Sequence, residues 1–365
     1  MNTTSSAGWL REITRPTLIV QEQRVRRNIE RMAEKARRSG VRFRPHFKTH
    51  QSAQVGEWFR DYGVEAITVS SVSMAGFFAD QGWKDITVAF PVNLREMEFI
   101  NALAGRVRLN LLVESPEVVE ALARRLQHPV GVWIKVDVGA QRTGIPWQEG
   151  EALQVVAAAV RNSRRLKLMG LLTHAGHTYQ ARSPEAIRRI HREAVRRIRQ
   201  AQSGLKAAGF TDLEISIGDT PACSVVEDFS DVEEIRPGNF VYYDLMQVQI
   251  GACTEGDIAA AVACPVVARH LRRGEAVLYG GAVHLSKEVL IGEDGSCCFG
   301  VPAWPEDNGW SRAIENARIR SLSQEHGVVQ LPTVHLHRLG IGDILMVLPV
   351  HSCLTANLLK SVRVI

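Results

Sequence analysis

The chain has 365 residues, 45% of them hydrophobic and 23% charged, the balance of a globular protein with a sizeable core rather than a disordered or fibrous one. Its formal charge of +5 rests on stretches such as RVRRNIERMAEKARR and EAIRRIHREAVRRIRQ. There Glu30, Glu34, Glu185 and Glu193 interleave with arginines as on solvated amphipathic helices, and no aromatic interleaving or finger motif points to nucleic acid.

In chain order, β-branched runs alternate with helical periodicity. TLIV (17–20) precedes a helix over 24–38, VRFRPHFK (41–48) one over 51–61, AITVSS (66–71) one over 73–81, and ITVAFPV (86–92) one over 94–104. VRLNLLV (107–113) precedes a helix over 115–127, GVWIKVDV (131–138) one over 148–163, LKLMGLLTHAG (166–176) one over 183–208, and LEISIGDT (213–220) a short one over 221–228. EEIRPGNFVYY (233–243) ends the series. Leaving TLIV aside, eight strands each reached through a helix predict an α/β fold, a closed (β/α)8 barrel over 24–245. From residue 246 the runs VQIGACT, IAAAVACPVVARHL, EAVLYGGAVHLS, VHLHRL and DILMVLPV, with Gly-rich turns, predict an antiparallel β-domain over 246–365 that residues 1–23 join.

No run approaches the roughly 20 apolar residues of a membrane span. MNTTSSAGWLREITRP lacks a basic-then-apolar export signal, so a cytoplasmic location is expected, with neither membrane nor nucleic acid as partner. The cysteines Cys223, Cys253, Cys264, Cys297, Cys298 and Cys353 are scattered and form no CxxC pair, which argues against a disulfide scaffold and a zinc finger.

Chemistry on such a barrel sits at the carboxyl ends of the strands. HFKTH, SSVS, KVDVGAQRTG, THAGHTY, SIGDTP and YYD all fall there. If HFKTH is extended, His46, Lys48 and His50 share one face, with a lysine between two histidines. SIGDTPACS ends a strand in Gly218-Asp219-Thr220, and Pro221 favours a helix start. Its backbone N–H groups and the hydroxyls of Thr220 and Ser224 suit a phosphate, although an ordinary capped turn reads the same way. Arg142, on a Gly-rich loop, is either a surface charge or a fixed donor to a ligand. His174, His177 and Tyr179 either stack on a planar ring or are satisfied loop side chains. In PVHSCLTAN, His351 and Cys353 face one way on an extended backbone, as two ligands of a borderline cation would, leaving open positions for water or substrate. His335 and His337 share that spacing on a run that reads as the solvated face of a strand.

Together, PHFKTH, KVDVGAQRTG, GDTP, RPGNFVYYD, EHG (325–327) and PVHSCLTAN resemble the D-serine dehydratase and D-threonine aldolase family, pyridoxal phosphate enzymes with an alanine-racemase-type barrel of fold type III. The resemblance implies that Lys48 carries the cofactor covalently and handles the substrate α-proton. A lysine with an ordinary pKa of about 10.4 needs desolvation or cationic neighbours to do so, and His46 and His50 offer part of that setting. It further implies that Gly218, Asp219 and Thr220 hold the phosphate, that Arg142 lies at the cofactor ring, that His174 and Tyr179 line its face, and that Tyr242 or Tyr243 with Asp244 closes the site. His351 and Cys353 match the family's metal pair, for zinc or another divalent cation. Cysteine, where aldolases of the family tend to carry aspartate, favours zinc and dehydration. The implied reaction turns a D-3-hydroxy amino acid, D-serine or D-3-hydroxyaspartate, into a keto acid and ammonia. Alternatives are a D-threonine-type aldolase, a racemase, or a non-catalytic cofactor carrier. A homodimer is expected.

Overall fold

The computed structural model describes residues 8–292 and 294–365; residues 1–7, which open the N-terminal part of the predicted β-domain, lie outside the described residues. By its internal contacts the chain forms two compact units, one of Ile29–Lys48 with Ala53–Gly238, the other of the residues up to Asn28 with Thr49–Ser52 and Asn239–Ile365.

Numbering the principal elements along the chain, β1 (Thr17–Val20) and α1 (Glu22–Ser39) come first. The parallel strands follow as β2 (Arg42–Phe43), β3 (Ala66–Val69), β4 (Asp85–Pro91), β5 (Arg108–Val113), β6 (Val130–Asp137), β7 (Leu166–Leu172), β8 (Glu214–Ile217) and β9 (Glu234–Ile235). Between them run α2 (Ala53–Arg60), α3 (Val72–Asp80), α4 (Met97–Ala104), α5 (Pro116–Arg125), α6 (Gly150–Arg161), α7 (Pro184–Ala207) and α8 (Thr220–Val225). The strands lie in the order β2-β9-β8-β7-β6-β5-β4-β3. A parallel bridge between His46 and Thr68 joins the two ends, with Phe47 N–H donating to the Thr68 carbonyl at 2.8 Å. The eight-stranded α/β barrel is therefore present. Local sequence starts its helices: Ser71, Ser115, Ser183 and Asp219 each cap a first turn, the last three followed by proline in that turn.

Side chains from different strands meet inside the barrel. Leu112, Trp133 and Leu172 form one apolar cluster with Met169. Elsewhere in this unit runs a polar network that the apolar strand patterns do not announce. Buried Arg44 donates to Glu234 at 2.7 Å and to Asp85 at 2.6 Å, and Asn110 also donates to Asp85 at 3.2 Å. Glu234 accepts from Ser216 at 2.6 Å, and Ser216 from Arg236 at 2.6 Å. On the outside, a cavity of about 480 Å³ lies between α7 and residues 225–232, lined by Arg192, Val195, Arg199 and Phe229 among others, and none of the predicted site residues borders it.

The second unit is an antiparallel sheet of β10 (Ala260–His270), β11 (Glu275–Tyr279), β12 (Gly300–Glu306), β13 (Gly309–Ala313), β14 (Arg318–Leu322), β15 (His326–Gln330) and β16 (Ile344–Pro349). Their order is β13-β12-β16-β10-β11-β15-β14, and β1 pairs with β10 and with β17 (Val362–Val364), as TLIV is expected to. Two runs differ from the strand pattern. VQIGACT begins inside α9 (Leu245–Gln249), capped by Asp244. All of VHLHRL but its last residue lies within α10 (Thr333–Arg338), so His335 and His337 share no strand face. Pro332 precedes that helix, and buried Leu336 and Leu339, three apart, set a helical spacing that overrides the apparent alternation.

Candidate functional site

The lysine is placed by the aromatic residue before it. Phe47 is fully buried, its ring 4.9 Å from those of Phe59 and Phe78 and 5.1 Å from Trp83. Burying such a ring stabilises by about 1.5–3 kcal/mol, and edge contacts add about 0.5–1.5 kcal/mol. Arg44, His46 and Phe47 bond in turn to the carbonyls of Ile235, Pro237 and Thr68, which carries the backbone to the carboxyl edge of the ring. There the chain turns over Phe47–His50 instead of staying extended, because Phe47 turns into the aromatic cluster. His46, Lys48 and His50 consequently do not form the predicted one-faced row. The Lys48 side chain is exposed, and its backbone N–H donates to His46 Nδ1 at 3.3 Å. His50 is buried and takes part in a turn with Ser52, its Nδ1 lying 3.1 Å from the Ser52 carbonyl oxygen and 3.2 Å from the Ser52 nitrogen; burial lowers its pKa to about 3 and keeps it neutral. It groups with the second unit.

Within the barrel unit the structure brings Lys48, Arg142 and His174 into one electrostatic neighbourhood. The His174 imidazole is held well below its ordinary pKa by burial first and then by Lys48, Arg142 and Lys135. Its Nδ1–H donates to the Gly218 carbonyl, and its ring stands 6.2 Å from that of Tyr179. Arg142 is exposed on a loop braced by Asp137, whose carboxylate accepts from the N–H groups of Gly139, Ala140 and Gln141.

Two further cations belong here. Lys135 is 6% exposed, and burial, helped by Arg236 and Arg142, pushes its pKa down to about 8. Buried Arg236 donates to Ser216 Oγ and, at 2.6 Å, to the Thr173 carbonyl. Both lie inside motifs already singled out, but nothing in the linear pattern marks them as buried. The nearest signal is Glu234, two residues before Arg236.

The Gly218-Asp219-Thr220 turn opens α8. A Cβ on Gly218 would meet the Arg236 carbonyl oxygen at 2.8 Å, so the close approach requires glycine. The Asp219 carboxylate is spent on the turn itself, accepting from Ala222 N–H and Thr178 Oγ1, both at 2.8 Å; burial raises its pKa to about 6. Ser224 donates to the Thr220 carbonyl at 2.7 Å and so supports the helix. Thr220 Oγ1, by contrast, is buried with no hydrogen-bond partner.

The second unit gathers the other predicted residues. His351 is the N-cap of α11 (Ser352–Leu359) and Cys353 lies in its first turn, so the pair is set by a helix start rather than by an extended strand. Asp244 anchors the residue between them, accepting from Ser352 N–H at 2.9 Å and from Asn239 Nδ2 at 2.6 Å. Tyr242 is fully buried, its hydroxyl has no partner, and burial and then Cys353 push its pKa up. Tyr242 and Asp244 are thus neighbours of the His351–Cys353 pair. Burial would lower the His351 pKa, but Cys353, Asp244 and Glu288 raise it to about 9.

These residues fit the groups that the resemblance implies. A cluster of four cations with an orphaned threonine hydroxyl suits an anionic, phosphate-bearing cofactor. An imidazole and a thiol in anionic surroundings suit a divalent cation, and His351 Nδ1 is buried without a partner. Among the described residues no group of three or more His, Cys, Asp and Glu side chains could hold a metal, so two protein donors would leave positions open for substrate.

A closed parallel barrel with a lysine at its carboxyl edge, joined in one chain to an antiparallel β unit, defines the alanine-racemase-type class of enzymes. Residues 20–245 match the family model described as alanine racemase, N-terminal domain, and residues 259–365 match a serine dehydratase domain. The chain is 29% identical to D-threo-3-hydroxyaspartate dehydratase of Delftia sp. (strain HT23), covering 93% of this chain and 91% of that protein. It is 27% identical to D-serine dehydratase of Dictyostelium discoideum, covering 98% and 94%. The solved structure of the Delftia enzyme superposes with a TM-score of 0.90 at 28% identity, covering 98% of this chain and 95% of that one. A variant of that enzyme with one cysteine changed to alanine, in the metal-free form, matches equally well, with a TM-score of 0.90 at 27% identity over the same shares. The chain belongs to the D-serine dehydratase and D-threonine aldolase family of pyridoxal phosphate-dependent lyases. Among its described residues, no helix is long and apolar enough to cross a membrane.

Proposed function

We propose that this lyase dehydrates a D-amino acid bearing a β-hydroxyl, D-serine or D-3-hydroxyaspartate, to a keto acid and ammonia, using pyridoxal phosphate and a zinc ion, as a cytoplasmic homodimer. The observation that carries the reading is the pair of half-buried His351 and buried Cys353 in a setting that attracts a cation, within a chain whose Lys48 stands at the carboxyl edge of the barrel. When bound, the cofactor delocalises the electron pair left at the α-carbon and the metal stabilises the departing hydroxide; zinc lowers the pKa of bound water from about 15.7 to about 7, a shift of at most roughly 12 kcal/mol.

This chain's residues divide the remaining work. Lys48 Nζ holds the cofactor and takes the α-proton. Thr220 Oγ1 and the backbone of Gly218–Thr220 receive the phosphate, with Asp219 shaping the turn. Arg142 lies at the ring, and His174 and Tyr179 line its face. His351 and Cys353 grip the metal, His50 supplies a neutral imidazole beside the substrate, and Tyr242 and Asp244 enclose and position the metal pair. Two observations support the dehydratase reading over an aldolase: the two dehydratase relatives, and a cysteine in the metal pair, whose sulfur favours zinc over harder cations.

The test offers D-serine, D-threonine and D-3-hydroxyaspartate to purified enzyme and assays ammonia and glycine. Ammonia from D-serine or D-3-hydroxyaspartate is expected, from a yellow protein whose colour and turnover both vanish in Lys48→Ala. Glycine as the accumulating product would replace the proposal with retro-aldol cleavage, and a colour that survives in Lys48→Ala would remove that lysine from its role.

A further inference from the structure

Resting on the metal reading above, we propose that Thr49 and Asn239 are positioning residues that donate hydrogen bonds to the Cys353 thiolate and thereby set the strength of metal binding. Thr49 is fully buried, and its Oγ1 lies 3.1 Å from Cys353 Sγ. A threonine hydroxyl rotates to suit its partner, and opposite a thiolate it donates. Thr49 reaches that position because the chain turns directly after Lys48, with Gln51 in the left-handed region at φ 46°.

Asn239 is 4% exposed; one Nδ2 hydrogen goes to Asp244 Oδ2 at 2.6 Å, and the other is shared between Ser352 Oγ at 3.0 Å and Cys353 Sγ at 3.5 Å. Three acceptors around one atom identify it as the nitrogen of the amide. Asp244 fixes that amide and also binds the Ser352 backbone between the two metal ligands, so one carboxylate orients both the donor and the ligand segment. A thiolate buried away from water depends on such donors, because a charged acceptor left unsatisfied costs more than a neutral one. Groups of this kind around a metal site change affinity by about 10- to 100-fold when removed.

The test uses cofactor-loaded enzyme stripped of metal by a chelator. It is titrated with Zn2+ against a chromophoric chelator, and with Co2+ while the thiolate-to-cobalt charge-transfer absorption is followed. Thr49→Val should weaken Zn2+ binding by about 10- to 100-fold and move the band to longer wavelength, since loss of a donor raises the sulfur lone pairs. Thr49→Ser should restore both. Asn239→Ala should shift the band in the same direction, and it decides the matter if Thr49→Val does not fold. A purely structural role would lower the unfolding midpoint without moving the band. Wild-type affinity and band position in both variants would overturn the proposal while leaving the metal site standing. A wild-type enzyme without a thiolate band, or a Cys353→Ala variant that binds Co2+ equally well, would instead overturn the metal reading and this inference with it.

Discussion

Lys48 owes its place to Phe47, which no inventory of reactive side chains would select. Histidines on either side of a lysine suggest a catalytic row, yet the buried ring decides where the backbone turns and the imidazoles follow. Glu234 shows the same dependence on neighbours. Burial would raise its pKa, but Arg44, Ser216 and Arg236 outweigh that and hold it below the ordinary carboxylate range. A carboxylate whose folded pKa is depressed adds stability above its unfolded pKa of about 4.3, and that stability disappears as pH falls through the folded value. Glu234→Gln should therefore destabilise the fold at neutral pH by about 3 kcal/mol, leaving Arg44 to Asp85 alone. It should also flatten the acid limb of stability against pH, as urea unfolding between neutral and acid pH will read. An unchanged acid limb would mean that the network contributes nothing to acid stability.

At the level of elements, α8 shows how a short helix can be fixed by its first turn. Asp219 caps it, Pro221 follows, and Gly218 lets the preceding strand end lie against the Arg236 backbone. Gly218→Ala would bring a methyl group to within 2.8 Å of the Arg236 oxygen and 2.9 Å of its Cβ. The expected cost is about 1–3 kcal/mol, with Thr220 shifted and the cofactor released more readily. Thermal melting and the yellow colour kept after dialysis measure the two effects, and a variant matching wild type in both would show that the turn has slack. The sequence pattern foretells this element well, since Gly-Asp-Thr-Pro encodes turn, cap and helix start locally. It foretells α10 and α11 poorly: VHLHRL and PVHSCL alternate like strands, and the turns at Pro332 and His351 become visible only where Leu336 and Cys353 find buried positions.

For the molecule as a whole, the chemistry is divided along the chain. Lys48, Arg142, His174 and Thr220 belong to the barrel unit, and His50, Asp244, His351 and Cys353 to the β unit, while the chain passes from one to the other after Asn28, Lys48, Ser52 and Gly238. Cofactor and metal should consequently be separable. Treating the holoenzyme with a chelator should abolish dehydration and leave the yellow colour, and added Zn2+ should restore turnover. Turnover that survives complete metal removal, confirmed by elemental analysis, would take the metal out of the reaction.

The sequence by itself determined the alternation of strands and helices, the ring of parallel strands that follows from it, the antiparallel second half, and the residue types available for chemistry, because period, capping and turn preferences act over a few neighbouring positions. It also held the order of motifs that the family shares. Only the tertiary structure decided that HFKTH turns, that Lys135 and Arg236 are buried cations, that Asp219 serves its own helix, and that Thr49 meets Cys353 across 304 positions of chain. Burial and long-range hydrogen bonds depend on which distant segments meet, and a local pattern carries no information about that meeting.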